Sequence, residues 1–126
     1  MTDRIRVLWL IKGLGPGGAE RLLTSAAAVR DRDQFVYEVA YLLPWKNHLV
    51  PEFEALGVGV HCMEVNDERN PAWAGRFRRL LRERDYDIVH VHSPYAAGIG
   101  RLVVASMPPA SRPKLVSTEH NIWSSF

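Results

Sequence analysis

A chain of 126 residues is enough for one compact domain and too short for two. Its residues are 47% hydrophobic and 24% charged, an ordinary globular balance that argues against extended disorder. The formal net charge of +2 is too small to indicate a nucleic-acid partner, and one cysteine excludes an intrachain disulfide framework.

The start of the chain lacks the features of a targeting segment. Residues 1–6 lead directly into a short apolar run, and no small-residue cleavage site follows. No apolar stretch approaches the ~20 residues that a membrane span needs. Together with the lone Cys62, these features favour a soluble cytoplasmic protein, at most peripheral at the inner face of the membrane.

Strand-like and helix-like segments alternate along the first half of the chain. A nearly continuous apolar run, Ile5–Ile11, predicts a first strand that is buried on both faces. After a glycine-rich turn, apolar residues recur at helical spacing over residues 19–27, and a second strand is predicted over residues 35–43. A short helix around Phe53 follows and ends at Gly57.

The second half continues this alternation. A third strand is predicted over residues 58–65, and the Asn-Pro pair at residues 70–71 predicts the start of a third helix, with the asparagine as its N-cap. Fourth and fifth strands are predicted over residues 87–92 and 114–118. The helix between them begins after Ser93 by the same cap-and-proline pattern.

Five strands and four helices in strict alternation predict an α/β fold. The expected architecture is a Rossmann-like three-layer domain with a parallel sheet of five or more strands. Right-handed crossovers favour the strand order 3-2-1-4-5. After the fifth strand, the apolar residues Ile122, Trp123 and Phe126 indicate the start of another element and allow self-association. We therefore expect residues 1–126 to be one domain of a longer protein.

The third predicted helix carries a concentration of positive charge. Such a run can meet anionic lipid or a phosphorylated acceptor. A solvated helix face, partly neutralised by Glu83 and Asp85, is the commoner explanation. The five arginines are Arg76, Arg78, Arg79, Arg82 and Arg84.

Ligands of an open parallel sheet bind beyond the carboxyl ends of its strands, near the point where the strand order reverses. Here that point lies between the first and fourth strands, where the loops 12–18, 92–95 and 119–123 are expected to meet. The first loop reads GLGPGG at residues 13–18, which is richer in glycine than a turn requires. Its backbone and the following helix start offer free N–H groups, so this loop predicts binding of a phosphate or a sugar hydroxyl.

Gly13, Gly15 and Gly18 also match the dinucleotide fingerprint GxGxxG. That fingerprint requires an acid at the end of the second strand, where it holds the ribose hydroxyls. Residues 42–44 are Leu-Leu-Pro instead, and Glu38 falls in the middle of the strand. A nucleotide- or dinucleotide-binding module without catalysis is therefore the less favoured alternative.

Two histidines stand at the end of the fourth strand. Because His90 and His92 are two residues apart, they point to the same side and are candidates for a metal pair, as in a metal hydrolase. A metal site needs at least one more ligand, and no ligand spacing in the sequence supplies it. His90 is better explained as a core residue, whereas His92 is a candidate for a ligand-binding or a structural role. Ser93 is first of all a helix N-cap.

A polar segment, Thr118, Glu119, His120 and Asn121, follows the fifth strand directly. Polar residues in a crevice favour a binding function over a solvated loop. A neutral histidine at this edge can hydrogen-bond a sugar hydroxyl or orient a phosphate, which makes His120 a candidate functional residue.

Three motifs resemble the N-terminal domain of glycosyltransferase family 4. They are PGGAER at residues 16–21, YDIVHVHS at residues 86–93 and STEHN at residues 117–121. The motifs occur in the family's order, at the ends of the predicted first, fourth and fifth strands. The resemblance spans nearly the whole chain.

The resemblance implies a GT-B architecture, in which two Rossmann-like domains face each other across a cleft. It implies a hexosyltransferase that moves sugar from a nucleotide-sugar donor to a glycan, lipid or small-molecule acceptor, with retention and without a metal or other cofactor. By the resemblance, Gly17 and Gly18 reach the donor, and His120 lies by the transferred sugar as the candidate catalytic residue. The residues implied to border the acceptor are His92, Ser93, Tyr95 and Asn121.

The family's paired glutamates and its basic donor-phosphate residues belong to a C-terminal domain that is absent here. We therefore expect this chain alone to bind weakly and to transfer no sugar. A fragment that only folds or associates is the last alternative.

Overall fold

The structure, a computed structural model, describes residues 4–14, 18–29, 33–67, 70–92 and 94–117, with the backbone alone for residues 18–20, 22, 94 and 95. The strands are β1 (Ile5–Ile11), β2 (Phe35–Tyr41), β3 (Gly59–Cys62), β4 (Ile88–Val91) and β5 (Lys114–Ser117). The helices are α1 (Gly18–Ala28), α2 (Val50–Ala55), α3 (Trp73–Arg84) and α4 (Pro94–Ala105), and a short 3-10 turn covers Pro109–Ser111.

All five strands belong to one parallel sheet in the order β3-β2-β1-β4-β5, which confirms the predicted α/β Rossmann-like fold and strand order. β1 lies at the centre, where Trp9 pairs with Val39 of β2 on one side and with His90 of β4 on the other. The strand order reverses between β1 and β4, so the crevice at their carboxyl ends is the place where such a sheet takes a ligand.

Each face of the sheet is covered by two helices. On one face, α3 and α4 bring Trp73, Phe77 and Val103 against Leu8 and Leu10 of β1. On the other face, α1 and α2 bring their apolar stripes against the alternate residues of the strands; these include Leu23, Ala27, Phe53, Trp9 and Val39. Strands buried on both sides explain the near-continuous apolar runs in the sequence.

Three predicted boundaries were wrong by two or three residues. β3 ends at Cys62 rather than at residue 65. β2 ends at Tyr41 rather than at residue 43, because the backbone N–H groups of Leu42 and Leu43 turn to the carbonyl of Lys12 at 3.1 and 3.0 Å. Asn70 does not cap α3, which begins at Trp73. Its Oδ1 accepts the N–H of Ala72 at 3.0 Å, so this asparagine forms a turn that precedes the helix.

The sheet contains a buried carboxylate held by four side chains. Glu38 of β2 accepts hydrogen bonds from the Tyr86 hydroxyl at 2.7 Å and from Arg84 Nε at 2.9 Å, and its Oε1 lies 2.6 Å from His61 Nε2. Arg6 Nη2 adds an ion pair at 3.3 Å. Burial alone raises the pKa of Glu38, but these hydrogen bonds outweigh it and lower the pKa from 4.5 to about 2. Burial also raises the pKa of Tyr86 above its ordinary value.

None of the helices in the described ranges is long and apolar enough to cross a bilayer.

Candidate functional site

The sequence-predicted site residues are only partly within the described structure. Gly18 is the first residue of α1, and His92 directly follows β4. Tyr95 lies in the first turn of α4, with its backbone alone described. The remaining predicted residues, Gly17, Ser93, His120 and Asn121, lie outside the described residues.

The loop after β1 is fixed to the loop after β2 by backbone hydrogen bonds. The N–H of Leu14 donates to the carbonyl of Lys46 at 2.7 Å, and the N–H of Leu49 donates to the carbonyl of Leu14 at 2.9 Å. The side chain of Leu14 is fully buried in the core between the sheet, α1 and α2. The start of the glycine-rich loop, at residues 13–14, is therefore fixed to the loop that follows β2.

Gly13 makes this close approach of the two loops feasible. A Cβ atom at Gly13 would lie 2.6 Å from the Lys46 Cβ, which cannot move away without its backbone. Packing against Lys46 therefore favours glycine at position 13, in addition to any role of this residue in ligand binding.

We expect Gly13→Ala to lower the free energy of unfolding by about 1–3 kcal/mol, because the added methyl group overpacks a loop that is tied on both sides. Urea denaturation followed by circular dichroism measures this change. The double variant Gly13→Ala/Lys46→Gly should recover most of the loss, since it removes the clashing side chain. If the double variant is no more stable than Gly13→Ala, steric contact with Lys46 is not the cause.

The N-terminus of α1 follows this loop in the chain. α1 begins at Gly18, after the loop that leaves the carboxyl end of β1, and runs for 11 residues. The first N–H groups of a helix have no partners within the helix and carry partial positive charge. This end of α1 is therefore suited to a phosphate or a sugar oxygen in the crevice.

The two histidines at the end of β4 lie side by side. The N–H of His92 donates to the carbonyl of Leu10 at 2.8 Å, which extends the pairing of β4 with β1 by one residue. The rings of His90 and His92 are 4.1 Å apart between centroids, and both residues are half-buried. His92 Nε2 is shielded from solvent. The position of His92 is thus fixed by its backbone hydrogen bond to Leu10 and by the contact of its ring with the ring of His90.

The structure bears on the two alternative interpretations of the carboxyl edge of the sheet, a metal site and a dinucleotide-binding module. In the described part of the chain, no three His, Cys, Asp or Glu side chains are grouped as metal ligands, so no such metal site is found around His90 and His92 there. At the end of β2, where a dinucleotide fold places its ribose-binding acid, Leu42 and Leu43 are buried. Glu38 is engaged with its four partners and does not take that role.

Sequence reasoning missed the Glu38 cluster. An acid in the middle of an apolar strand was the available signal, because a buried carboxylate requires partners. The partners themselves are separated by 23 to 48 residues from Glu38 and meet only in the fold. The cluster lies toward the amino ends of the strands, beside the start of β1 and the segment that precedes β4, and so away from the crevice.

Comparisons with known proteins agree with this geometry. The family model described as Glycosyltransferase Family 4 matches residues 16–126. The capsular polysaccharide biosynthesis glycosyltransferase CapH of Staphylococcus aureus is 24% identical over 99 residues. That alignment covers 79% of this chain and 27% of CapH, so the chain spans a minor part of that relative's length. A family model that covers most of the chain settles the matter: the chain belongs to glycosyltransferase family 4.

Proposed function

We propose that this chain is the N-terminal, acceptor-side domain of a GT-B enzyme that transfers a sugar from a nucleotide-sugar donor. The observation that carries the proposal is the family match over residues 16–126 on a sheet of order 3-2-1-4-5. That match includes the glycine pair at the start of α1, the histidine pair at the end of β4 and His120. The pairing of β1 with β4 and the start of α1 after β1 support placing the first two segments at one crevice.

The donor side of the proposed site is the loop before α1. Gly17 and Gly18 bring backbone N–H groups toward the donor pyrophosphate or its sugar, and the helix N-terminus favours negative charge there. The donor sugar then lies near His120, which hydrogen-bonds it during transfer. We propose transfer with retention and without a bound metal, as the family resemblance implies.

The acceptor side of the proposed site is the end of β4 and the start of α4. His92 supports it from a fixed backbone and ring position, and Ser93, Tyr95 and Asn121 complete its border. Neutral histidine, hydroxyl and amide groups are suited to sugar hydroxyls. The relative's printed role in capsular polysaccharide biosynthesis favours a glycan acceptor over a small molecule.

The rest of the catalytic machinery belongs to a second domain in this proposal. The matched stretch is 27% of the length of CapH, so most of that relative's length has no counterpart among these residues. We expect the 126-residue chain alone to bind sugar nucleotides weakly and to transfer nothing.

The test is acceptor-dependent release of nucleotide from UDP- and GDP-linked hexoses by the full-length protein, with the 126-residue chain assayed in parallel. We expect turnover by the full-length protein alone, with product of the same anomeric configuration as the donor. Excess EDTA should leave the rate unchanged. Tight binding of NAD by the isolated chain, without sugar transfer by the longer protein, would favour the dinucleotide-binding module instead.

A further inference from the structure

The two helical layers of this domain carry opposite charge. α3 and α4 together contain six arginines and one glutamate, whereas α1 and α2 together contain one arginine and three glutamates. Because the two layers cover opposite faces of the same sheet, the helices on one face are net positive in sequence and those on the other are net negative. Such an asymmetry orients a protein toward an extended anionic partner.

The arginines of α3 separate into two groups in the structure. Arg76 Nη1 donates to the carbonyl of Met63 at 2.8 Å, and Arg84 is bound to Glu38, so both hold the fold together. Arg78 Nε donates at 3.2 Å to the Oγ of Ser106, which directly follows α4. Arg79 and Arg82 are exposed, and neither has a hydrogen bond or ion pair among the described residues.

Arg78, Arg79 and Arg82 border one groove on the outer surface of α3. The groove has a volume of about 560 Å³, and its other described lining residues are Gly75 and Glu83. Apart from the adjacent residues and the backbone of its own helix, no atom lies within 4 Å of the place where a Cβ of Gly75 would stand, so packing does not require a glycine there. A glycine inside a helix weakens it, and here it leaves the helix backbone open beside the guanidinium groups.

An extended partner fits this groove better than a single small anion. Arg78 and Arg82 are one helical turn apart, about 6 Å along the axis, and all described lining residues belong to the same helix. The guanidinium groups are therefore arranged along a line on an outer surface, where several phosphates can each meet one. A site for one free phosphate would instead converge on it from several elements.

An exposed leucine adjoins this basic line. Leu102 of α4 is 74% exposed, and it precedes Ser106, the partner of Arg78, by one helical turn. Residues four apart share one side of a helix, so Leu102 lies on the side of α4 that adjoins α3. Arginines beside an exposed large apolar residue are typical of surfaces that lie in a membrane interface.

We propose that the α3–α4 face, through Arg78, Arg79, Arg82 and Leu102, binds the phosphate headgroups of an anionic bilayer. The arginines contact lipid phosphates, and Leu102 enters the boundary between headgroups and acyl chains. The crevice at the carboxyl ends of β1 and β4 stays accessible, because it opens at the edge of the sheet and not on its helical face.

The test is cosedimentation of the full-length protein with vesicles of phosphatidylcholine alone or of equal parts phosphatidylcholine and phosphatidylglycerol. We expect binding to the anionic vesicles only, weakened by salt because exposed charges are screened. Arg79→Gln/Arg82→Gln should lower the partition coefficient about 20-fold, since each arginine near an anionic surface contributes roughly a factor of 5. Leu102→Ser should weaken binding without changing its salt dependence.

The matched control is Arg4→Gln/Lys114→Gln, which removes the same charge from exposed positions outside the groove. It should keep most of the binding, and circular dichroism should show both double variants folded. Equal loss in the two double variants, or absence of binding to anionic vesicles, would overturn the proposal. The proposal would also be overturned if the protein bound inorganic phosphate or pyrophosphate through Arg79 and Arg82 but did not bind vesicles. No sugar transfer is measured, so failure here is distinct from failure of the proposed reaction.

Discussion

Glu38→Ala is expected to lower the free energy of unfolding by about 2–4 kcal/mol. Removing one partner of a fully buried ion pair costs about 3–5 kcal/mol, and the value is smaller here because the side chains of Arg84 and Arg6 are 45% and 33% exposed. The buried Tyr86 hydroxyl also loses its acceptor. Urea denaturation at neutral pH measures the change.

The same carboxylate should make stability depend on pH. The pKa of Glu38 is about 2 in the folded protein, below its ordinary value of 4.5. The unfolded chain therefore binds the proton first as the pH falls, so the stabilisation is present above pH 4.5 and is lost between 4.5 and about 2. The full effect is about 3 kcal/mol, from roughly 1.4 kcal/mol for each pKa unit.

Glu38→Gln provides the decisive control, because it keeps the shape of the side chain and cannot titrate. Its stability should change less over this acidic range than that of the unaltered protein. Glu54→Gln on α2, where the glutamate is exposed, should retain the full pH dependence. An equal acid response in Glu38→Gln and the unaltered protein would mean that other groups cause it.

The order of the sheet could be predicted from sequence because two independent signals agree. Runs such as Ile5–Ile11 are apolar at every position, which indicates strands covered on both faces. Right-handed crossovers then leave few arrangements of five parallel strands. The ends of elements were less predictable, since Leu42 is as buried inside the loop as it would be inside the strand.

The crevice between β1 and β4 could be predicted from sequence, but the packing of the loops beside it could not. The crevice follows from strand order alone. The contact between Gly13 and Lys46 depends on how the two loops pack against each other. The hydrogen bonds of Leu14 are made by its backbone, so the identity of its side chain does not predict them. A glycine that avoids a clash and a glycine that admits a ligand look the same in a sequence.

The separate roles of the arginines of α3 could not be predicted from the sequence either. In the sequence, all five are equivalent members of one basic run. In the structure, Arg76 and Arg84 are bound to other parts of the fold, while Arg79 and Arg82 are exposed without such contacts among the described residues. Only the fold distinguishes arginines that hold the protein together from arginines that are available to a partner. The membrane proposal can therefore be tested by substituting Arg79 and Arg82 alone.

His120→Ala in the full-length protein is expected to lower kcat for sugar transfer by about 10²–10³-fold, the usual effect of removing one hydrogen-bonding group that stabilises a transition state. The expectation rests on the resemblance of residues 117–121, which implies that His120 lies by the transferred sugar. Because such a bond strengthens as the glycosidic bond breaks, KM for the donor should change little. Steady-state kinetics with the donor varied at saturating acceptor measures both parameters.

His48→Ala is the matched control, since His48 is an exposed histidine on the loop that precedes α2. It should leave kcat and KM unchanged. His120→Gln keeps a neutral hydrogen-bonding side chain, so it should recover part of the lost kcat, which a purely steric role would not explain. A large rise in KM for the acceptor with an unchanged kcat would move His120 to the acceptor border beside His92, because loss of uniform binding raises KM alone.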